Sequence, residues 1–159
     1  MKILFLSQRV PEPPNKGDKI RAHHLMKRLA ARHAVHVACL VDEPAEAVHA
    51  GEARRWAASV TWRLRRPAES VTRAAAALLS GEPLSVGFFR SRTLAEDVRG
   101  LLARERFDVV VAYCSSMATY AGAFRGPKVL DLVHVDSEKW RQYAERTRLP
   151  RRTVFALEH

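Results

Sequence analysis

The chain has 159 residues, about one domain's worth, and 47% of them are hydrophobic, enough for a sizeable core. It carries 27 Lys and Arg against 17 Asp and Glu, a formal net charge of +10, which favours anionic partners such as phosphate, nucleic acid or an acidic membrane surface. No run of about 18 apolar residues occurs, so no segment reads as a membrane span. Arginine greatly outnumbers lysine and alanine is abundant. A composition of that kind scatters arginine over solvated faces, so charge alone barely separates these partners.

The first apolar run, Ile3 to Leu6, stops at Ser7 and Gln8. It is too short for a secretory signal and suits a buried first strand, which predicts a cytoplasmic protein. Asp18 to Arg32 reads as a helix, with Ala22, Leu25, Met26 and Leu29 at i, i+3, i+4 and i+7. Val35 to Val41 is a second apolar run, followed by a helical stretch from Ala45 to Ala58 with Pro44 near its start. Ser59 to Leu64 is a weaker third strand. Ala68 to Ser80 predicts a helix with Val71, Ala74, Ala75, Leu78 and Leu79 on one stripe, ended by Gly81.

Gly81 to Arg90 breaks the alternation with Pro83, two glycines and the pair Phe88-Phe89. It is either a hydrophobic flap near a ligand or a buried turn packing two helices. Thr93 to Arg106 predicts an amphipathic helix with Leu94, Val98, Leu101 and Leu102. Phe107 to Tyr113 is a strong fourth strand, rich in β-branched residues. A short helix is expected from Ser115 to Phe124, a fifth strand from Lys128 to Val133, and a last helix from Ser137 to Arg148. Thr153 to Ala156 reads like an unfinished helix, and Leu157-Glu158-His159 like the start of an appended histidine tag. Strands apolar on both faces, alternating with helices, predict an α/β fold: a doubly wound, mainly parallel Rossmann-like sheet with helices on both faces. Cys39 and Cys114 lie in apolar segments without metal-ligand spacing and read as buried free thiols.

The chemistry is expected at the carboxyl ends of the strands, where open α/β sheets bind ligands. After the first strand, Lys16, Gly17, Asp18 and Arg21 stand at a helix amino terminus, which offers free N–H groups and partial positive charge to an anion, and Lys16, Lys19 and Arg21 add full positive charge. This loop is neither a dinucleotide fingerprint nor a Walker loop. Its bland reading is a rigid connection with Asp18 as the helix cap. Ser115 and Ser116 follow the fourth strand, where a serine pair is ordinarily a cap. Asp131, His134 and Asp136 stand at the carboxyl end of the fifth; Asp136 can equally cap the next helix.

Phe5 to Pro11, Pro13 to Arg21, His24-Leu25 and Leu29-Ala30 together resemble the opening of family-four-like glycosyltransferases. Within them the chain is most similar to the sugar transferases of bacterial exopolysaccharide and exosortase systems. Leu79 to Leu84 and Val135 to Tyr143 resemble the same subgroup, so the similarity extends over essentially the whole chain. The resemblance implies a GT-B enzyme of two Rossmann-like domains. Residues 1–156 would be the amino-terminal, acceptor-side domain, and 157–159 the tag remnant. A nucleotide-sugar would be the co-substrate, with no metal and no other cofactor. A glycan or lipid-linked molecule would be the acceptor, and the present chain without its donor-side domain would be inactive.

By the same resemblance Gly17 approaches the donor phosphates, with Lys16 and Asp18 beside it. Many relatives have a second glycine where Lys16 stands. His134 or Asp136 would serve as the catalytic base toward the acceptor hydroxyl, His134 having a pKa near its working range. From their place at the end of the fourth strand, and not from the resemblance, Ser115 and Ser116 would hydrogen-bond a sugar hydroxyl. Arg21, His24 and Arg28 form a helical stripe facing either an anionic acceptor or water. The basic run Arg63 to Arg66, ahead of an apolar-striped helix, is either a solvated face or a peripheral contact with anionic lipid. The alternative class is a non-catalytic α/β binding or regulatory module for an anionic ligand. No nucleic-acid partner is expected, because no RNP motif, helix-turn-helix signature or aromatic-basic stacking surface is legible.

Overall fold

The structure, a computed structural model, describes residues 1–133, 141–142 and 145–146. Five strands form one parallel sheet: β1 (Lys2–Ser7), β2 (Ala34–Val41), β3 (Ser59–Leu64), β4 (Val109–Tyr113) and β5 (Lys128–Asp131). Their order is β3-β2-β1-β4-β5. The register places Phe5 between Val37 and Val111, so the first strand is the most deeply enclosed. Its residues Ile3 to Ser7 are all buried. A strand with apolar residues on both faces is stable only when both faces are covered.

The cover comes in two layers. On one face α1 (Gly17–Ala30) and α2 (Ala47–Ala53) place Ala22, Met26, Ala50 and Ala53 against Ile3, Phe5, Val35 and Val37. On the other, α5 (Arg92–Arg104) and a 3-10 segment (Ser115–Ala121) place Leu94, Val98, Met117 and Tyr120 against Leu4, Leu6, Ala38 and Leu40. The doubly wound Rossmann-like sheet expected from the run pattern is therefore present. Winding goes outward through β2 and β3, then returns across the sheet to β4 on the far side of β1. The switch point lies at the carboxyl ends of β1 and β4, and ligands bind at such points in open sheets.

Several local expectations are corrected. The stretch Ala45 to Ala58 is not one helix. A 3-10 turn at Pro44–Glu46 leads into α2, which ends at Ala53. The helix expected from Ser115 to Phe124 is a 3-10 segment over Ser115–Ala121, and β4 and β5 are shorter than their apolar runs. In α3 (Pro67–Leu79) part of the apolar stripe faces outward. Val71 is 62% and Leu79 91% exposed. The helix lies beyond the edge strand and packs against α4 (Leu84–Phe88) instead of the sheet. Its inward face is small: Ser70 and Ala77 are buried, and Gly87 of α4 lies against Ala77. Small residues permit close helix approach, which leaves Val71 and Leu79 outside.

Gly81 does end α3, in a left-handed conformation with φ 70°. The Glu82 N–H donates to the Ala77 carbonyl, the long bond of a Schellman cap. The insertion is the packing turn and not a free flap. Phe88 and Phe89 sit under the Arg65 guanidinium, 4.5 and 5.8 Å from its centre. Ser91 caps α5 by accepting from Leu94 N–H, and the Tyr120 hydroxyl accepts from Ser91 N–H at 2.7 Å while donating to the Phe89 carbonyl at 2.6 Å. Replacing Tyr120 by Phe strands both backbone groups in a buried place. We expect a loss of about 1–3 kcal/mol in unfolding free energy by urea titration. An unchanged midpoint would show that the α4–α5 junction does not depend on this hydroxyl.

Candidate functional site

The loop after β1 is tied down by its own side chains. Val10 N–H donates to the Leu40 carbonyl. Glu12 accepts from the Trp56 indole at 3.1 Å and lies 2.9 Å from His23 Nδ1, which pins the proline segment to α1 and to the turn after α2. Beyond Pro14 the chain is exposed until α1 begins.

At that point Asp18 is not the cap. Lys16 holds the N-cap position and makes no side-chain cap hydrogen bond. Ile20 N–H is the first to close a helical turn, on the Lys16 carbonyl at 2.8 Å. The N–H groups of Gly17, Asp18 and Lys19 therefore precede the ladder and carry the positive end of a 14-residue helix. A Cβ at Gly17 would meet nothing within 4 Å, and its φ is not in the left-handed range. Nothing in the fold itself demands glycine there. The space above the helix end is open.

Asp18 instead belongs to an ion-pair chain. Arg9 donates to Asp18 at 2.7 Å and to Asp42 at 2.9 Å, and Arg65 donates to the second oxygen of Asp42 at 2.8 Å. Burial opposes the charge of Asp42, but the hydrogen bonds and charges of Arg9 and Arg65 outweigh it and hold the carboxyl below its ordinary range. Burial likewise works against the Arg9 cation, and Asp42 and Asp18 more than compensate. Deeper still, Lys19 is 1% exposed and donates to Glu46 at 2.9 Å. Glu46 also accepts from Asp42 N–H. These pairs lock α1 to the ends of β1 and β2.

The fourth-strand side is set by an unusual backbone. Cys114 has φ 81° and ψ 149°, a region costly for a residue with a Cβ. Its N–H donates to the Asp131 carbonyl at 2.8 Å. Strain of this kind concentrates at ligand sites. The turn buries Ser116, whose hydroxyl accepts from the Gln8 side chain, while Ser115 is half-buried. Neither serine is the N-cap, a position held by Cys114. The Tyr113 hydroxyl donates to the Asp18 carbonyl at 3.0 Å; burial, with Cys114 next, pushes it up to about 12.

Arg21 reaches across the switch point to both oxygens of Asp131, at 3.0 and 2.8 Å. Loops 1, 4 and 5 are thereby joined, and Lys16, Gly17, Asp18, Arg21, Ser115 and Ser116 lie along one edge. The crevice between Gln8, Asp18, Tyr113 and Cys114 has a volume of only about 10 Å³. As it stands the site is a lined edge and not a deep pocket. Of the stripe on α1, Arg21, His24 and Arg28 are all exposed. His134, Asp136 and most of the expected last helix lie outside the described residues.

No protein-family model matches the chain, and no curated protein or solved structure matches it. Among the described residues no helix is long and apolar enough to cross a membrane, and no group of three or more His, Cys, Asp or Glu side chains could hold a metal ion. Cys39 and Cys114 are both buried and form no disulfide among the described residues; burial, partly offset by Lys19, pushes Cys39 up to about 12.

Sequence reading missed Gln8, Arg9, Asp42 and the Lys19–Glu46 pair. A usable signal existed for two of them. Arg9 and Asp42 are the first charged residues beyond the apolar runs of β1 and β2, and a charge at that position stands at the ligand edge of a parallel sheet. Lys19 was expected to lend its charge to an anion at the helix end; it is buried on Glu46 instead, because nothing local reveals that a lysine in a first helical turn is enclosed.

Proposed function

We propose that the chain is the acceptor-side Rossmann-like domain of a GT-B glycosyltransferase that moves a sugar from a nucleotide-sugar to an acceptor hydroxyl in cell-surface glycan synthesis. The observation that carries this reading is the glycine-opened, uncapped amino terminus of α1 at the topological switch point. It joins the resemblance of the Pro13 to Arg21 loop to a place where a phosphate gains from free N–H groups and the helix dipole. The strained Cys114 and the Arg21–Asp131 bridge support a ligand edge at the same place.

In the proposed reaction the acceptor oxygen bonds to the anomeric carbon as the bond from that carbon to the diphosphate oxygen breaks. The nucleoside diphosphate leaves with the electron pair. The hydroxyl proton passes to a base on the β5 loop, for which His134 and Asp136 are the proposed groups. The α1 terminus stabilises charge developing on the leaving diphosphate. Ser116, already held by Gln8, and Ser115 line the sugar side. Work at the cytoplasmic face of a membrane on a lipid-linked acceptor fits the basic charge.

The test uses the complete gene product with a panel of nucleoside-diphosphate sugars, products being read by mass spectrometry. Sugar transfer to an added glycan or lipid-linked acceptor is the expected result. Absence of transfer and of donor hydrolysis across the panel sinks the reading. Gly17→Ala sharpens it. Space and φ both allow the methyl group, so the unfolding midpoint is expected to stay within about 0.5 kcal/mol of wild type. Transfer is expected to fall about 10²-fold, because a displaced diphosphate loses its alignment. Full activity in this variant removes Gly17 from the site.

A further inference from the structure

A second cavity lies away from the switch point. It runs along the outer side of edge strand β3, has a volume of about 750 Å³, and is open to solvent on one side. Six arginines line it: Arg54, Arg63, Arg65, Arg66, Arg73 and Arg92. The lining holds one carboxylate, Glu69, which is shared between Arg66 and Arg73. Asp42, Asp97 and Glu96 back Arg65, Arg63 and Arg92 from outside the lining.

An exposed arginine run is ordinarily a solvated face, but three features separate this one from that case. First, the guanidinium groups are held in place before any ligand arrives. Arg65 has a side chain 10% exposed, stacked on Phe88 and bonded to Asp42. Arg63 grips both oxygens of Asp97. Pre-ordered guanidinium forks lose little further freedom on binding an oxyanion. Second, two of these arginines each keep an unpaired donor enclosed within the protein. Arg65 Nη1 and Arg73 Nε are buried and reach no hydrogen-bond acceptor. Such groups cost stability unless something completes them. Third, Ser91, Arg92 and Thr93 bring the amino terminus of the 13-residue helix α5 to the same wall, adding N–H donors and dipole charge.

We propose that this cavity on the outer edge of β3 binds a phosphate-bearing anion through Arg54, Arg66, Arg73 and the amino terminus of α5. The site is distinct from the α1 edge and does not depend on the glycosyltransferase reading. Bidentate guanidinium–phosphate geometry sets the ligand class. A phosphate of this kind comes from a soluble phosphate ester or from a lipid headgroup. Val71 and Leu79, exposed on the neighbouring α3, give the lipid source a physical basis.

The experiment compares wild-type protein, Arg54→Gln/Arg73→Gln, and the charge-matched control Arg28→Gln/Arg32→Gln on and after α1, at about 0.15 M salt, where surface charge effects are screened beyond roughly 8 Å. Each is titrated calorimetrically with inorganic pyrophosphate. Each is also sedimented with phosphatidylcholine vesicles, with and without phosphatidylglycerol. Saturable pyrophosphate binding that weakens at least about tenfold in the cavity variant, and less than about threefold in the control, supports the site with a soluble ester as source. Binding only to the anionic vesicles, lost in the same selective way, supports it with a headgroup as source. Binding of neither probe, or equal losses in both variants, overturns the proposal. If the double variant melts early, Arg66→Gln, an exposed side chain, replaces it under the same criteria.

Discussion

Replacing Glu46 by alanine is expected to lower the unfolding free energy by about 3 kcal/mol, the low end of what is lost when a buried ion pair is broken from one side. Lys19 is 1% exposed and Glu46 22%. The alanine therefore leaves an ammonium enclosed beneath α1 without its acceptor, while some water can still approach from the Glu46 side, which keeps the effect below the upper end. The same change frees Asp42 N–H from its carboxylate partner. Urea or thermal unfolding measures the loss; a change below about 1 kcal/mol would mean that Lys19 finds another partner. A double change, Lys19→Met with Glu46→Leu, removes both charges and is expected to recover most of the stability, since an apolar pair of similar volume often matches a buried ion pair.

This pair also sets a pH dependence. Burial resists the ionisation of Glu46, but the hydrogen bond and charge of Lys19 prevail and bring its carboxyl below the ordinary value. A carboxyl lowered on folding contributes stability in full above its unfolded value of about 4.3, and that stability is lost as pH falls through the lower folded value. Asp42, lowered by Arg9 and Arg65, acts in the same direction. Stability of the wild type is thus expected to drop as pH falls below about 4.3, and Glu46→Gln is expected to show a shallower drop. Parallel curves for the two proteins would remove Glu46 from the acid response.

The second large effect is expected at Gly87. A Cβ there would stand 2.7 Å from Ala77 Cβ, 2.7 Å from the Arg73 carbonyl oxygen and 3.0 Å from Ala74 Cα. Two of those atoms are backbone of α3, so relief requires the two helices to separate. Alanine in a helix gains up to about 1 kcal/mol over glycine. Overpacking of this severity costs about 1–3 kcal/mol and occasionally more, so Gly87→Ala is expected to destabilise on balance, and Gly87→Val further. Denaturation midpoints check this. Hydrogen exchange of α3 amides checks where the damage lies, since the contact is local to α3 and α4. Gly17→Ala is the opposite case, a glycine with free space whose replacement should spare the fold.

The two glycines show why some of this protein is legible in its residues and some is not. Gly17 and Gly87 look alike as letters. One opens a helix with nothing near it, and the other fits under a neighbouring helix that its own sequence context does not reveal. The strands were legible because residues such as Val35 to Val41 are apolar on both faces, a pattern only a doubly covered strand tolerates. The core faces of α1 and α5 were legible from their 3.6-residue period. For α3 the period was present and part of its stripe is exposed, because Ser70, Ala77 and Gly87 allow a close helix pair that turns Val71 and Leu79 outward.

The residue runs by themselves determined a parallel α/β sheet and the loops that would face a ligand, since both follow from local apolar pattern and chain direction. The tertiary structure alone decided the strand order β3-β2-β1-β4-β5. That order brings Gln8 to Ser116, 108 positions away, and Arg21 to Asp131, 110 away. It also buries Lys19 on Glu46 and gathers six arginines along β3. Those pairings depend on where the chain crosses back over the sheet. Side chains distant in sequence meet through packing and loop closure, and no short-range pattern encodes that meeting.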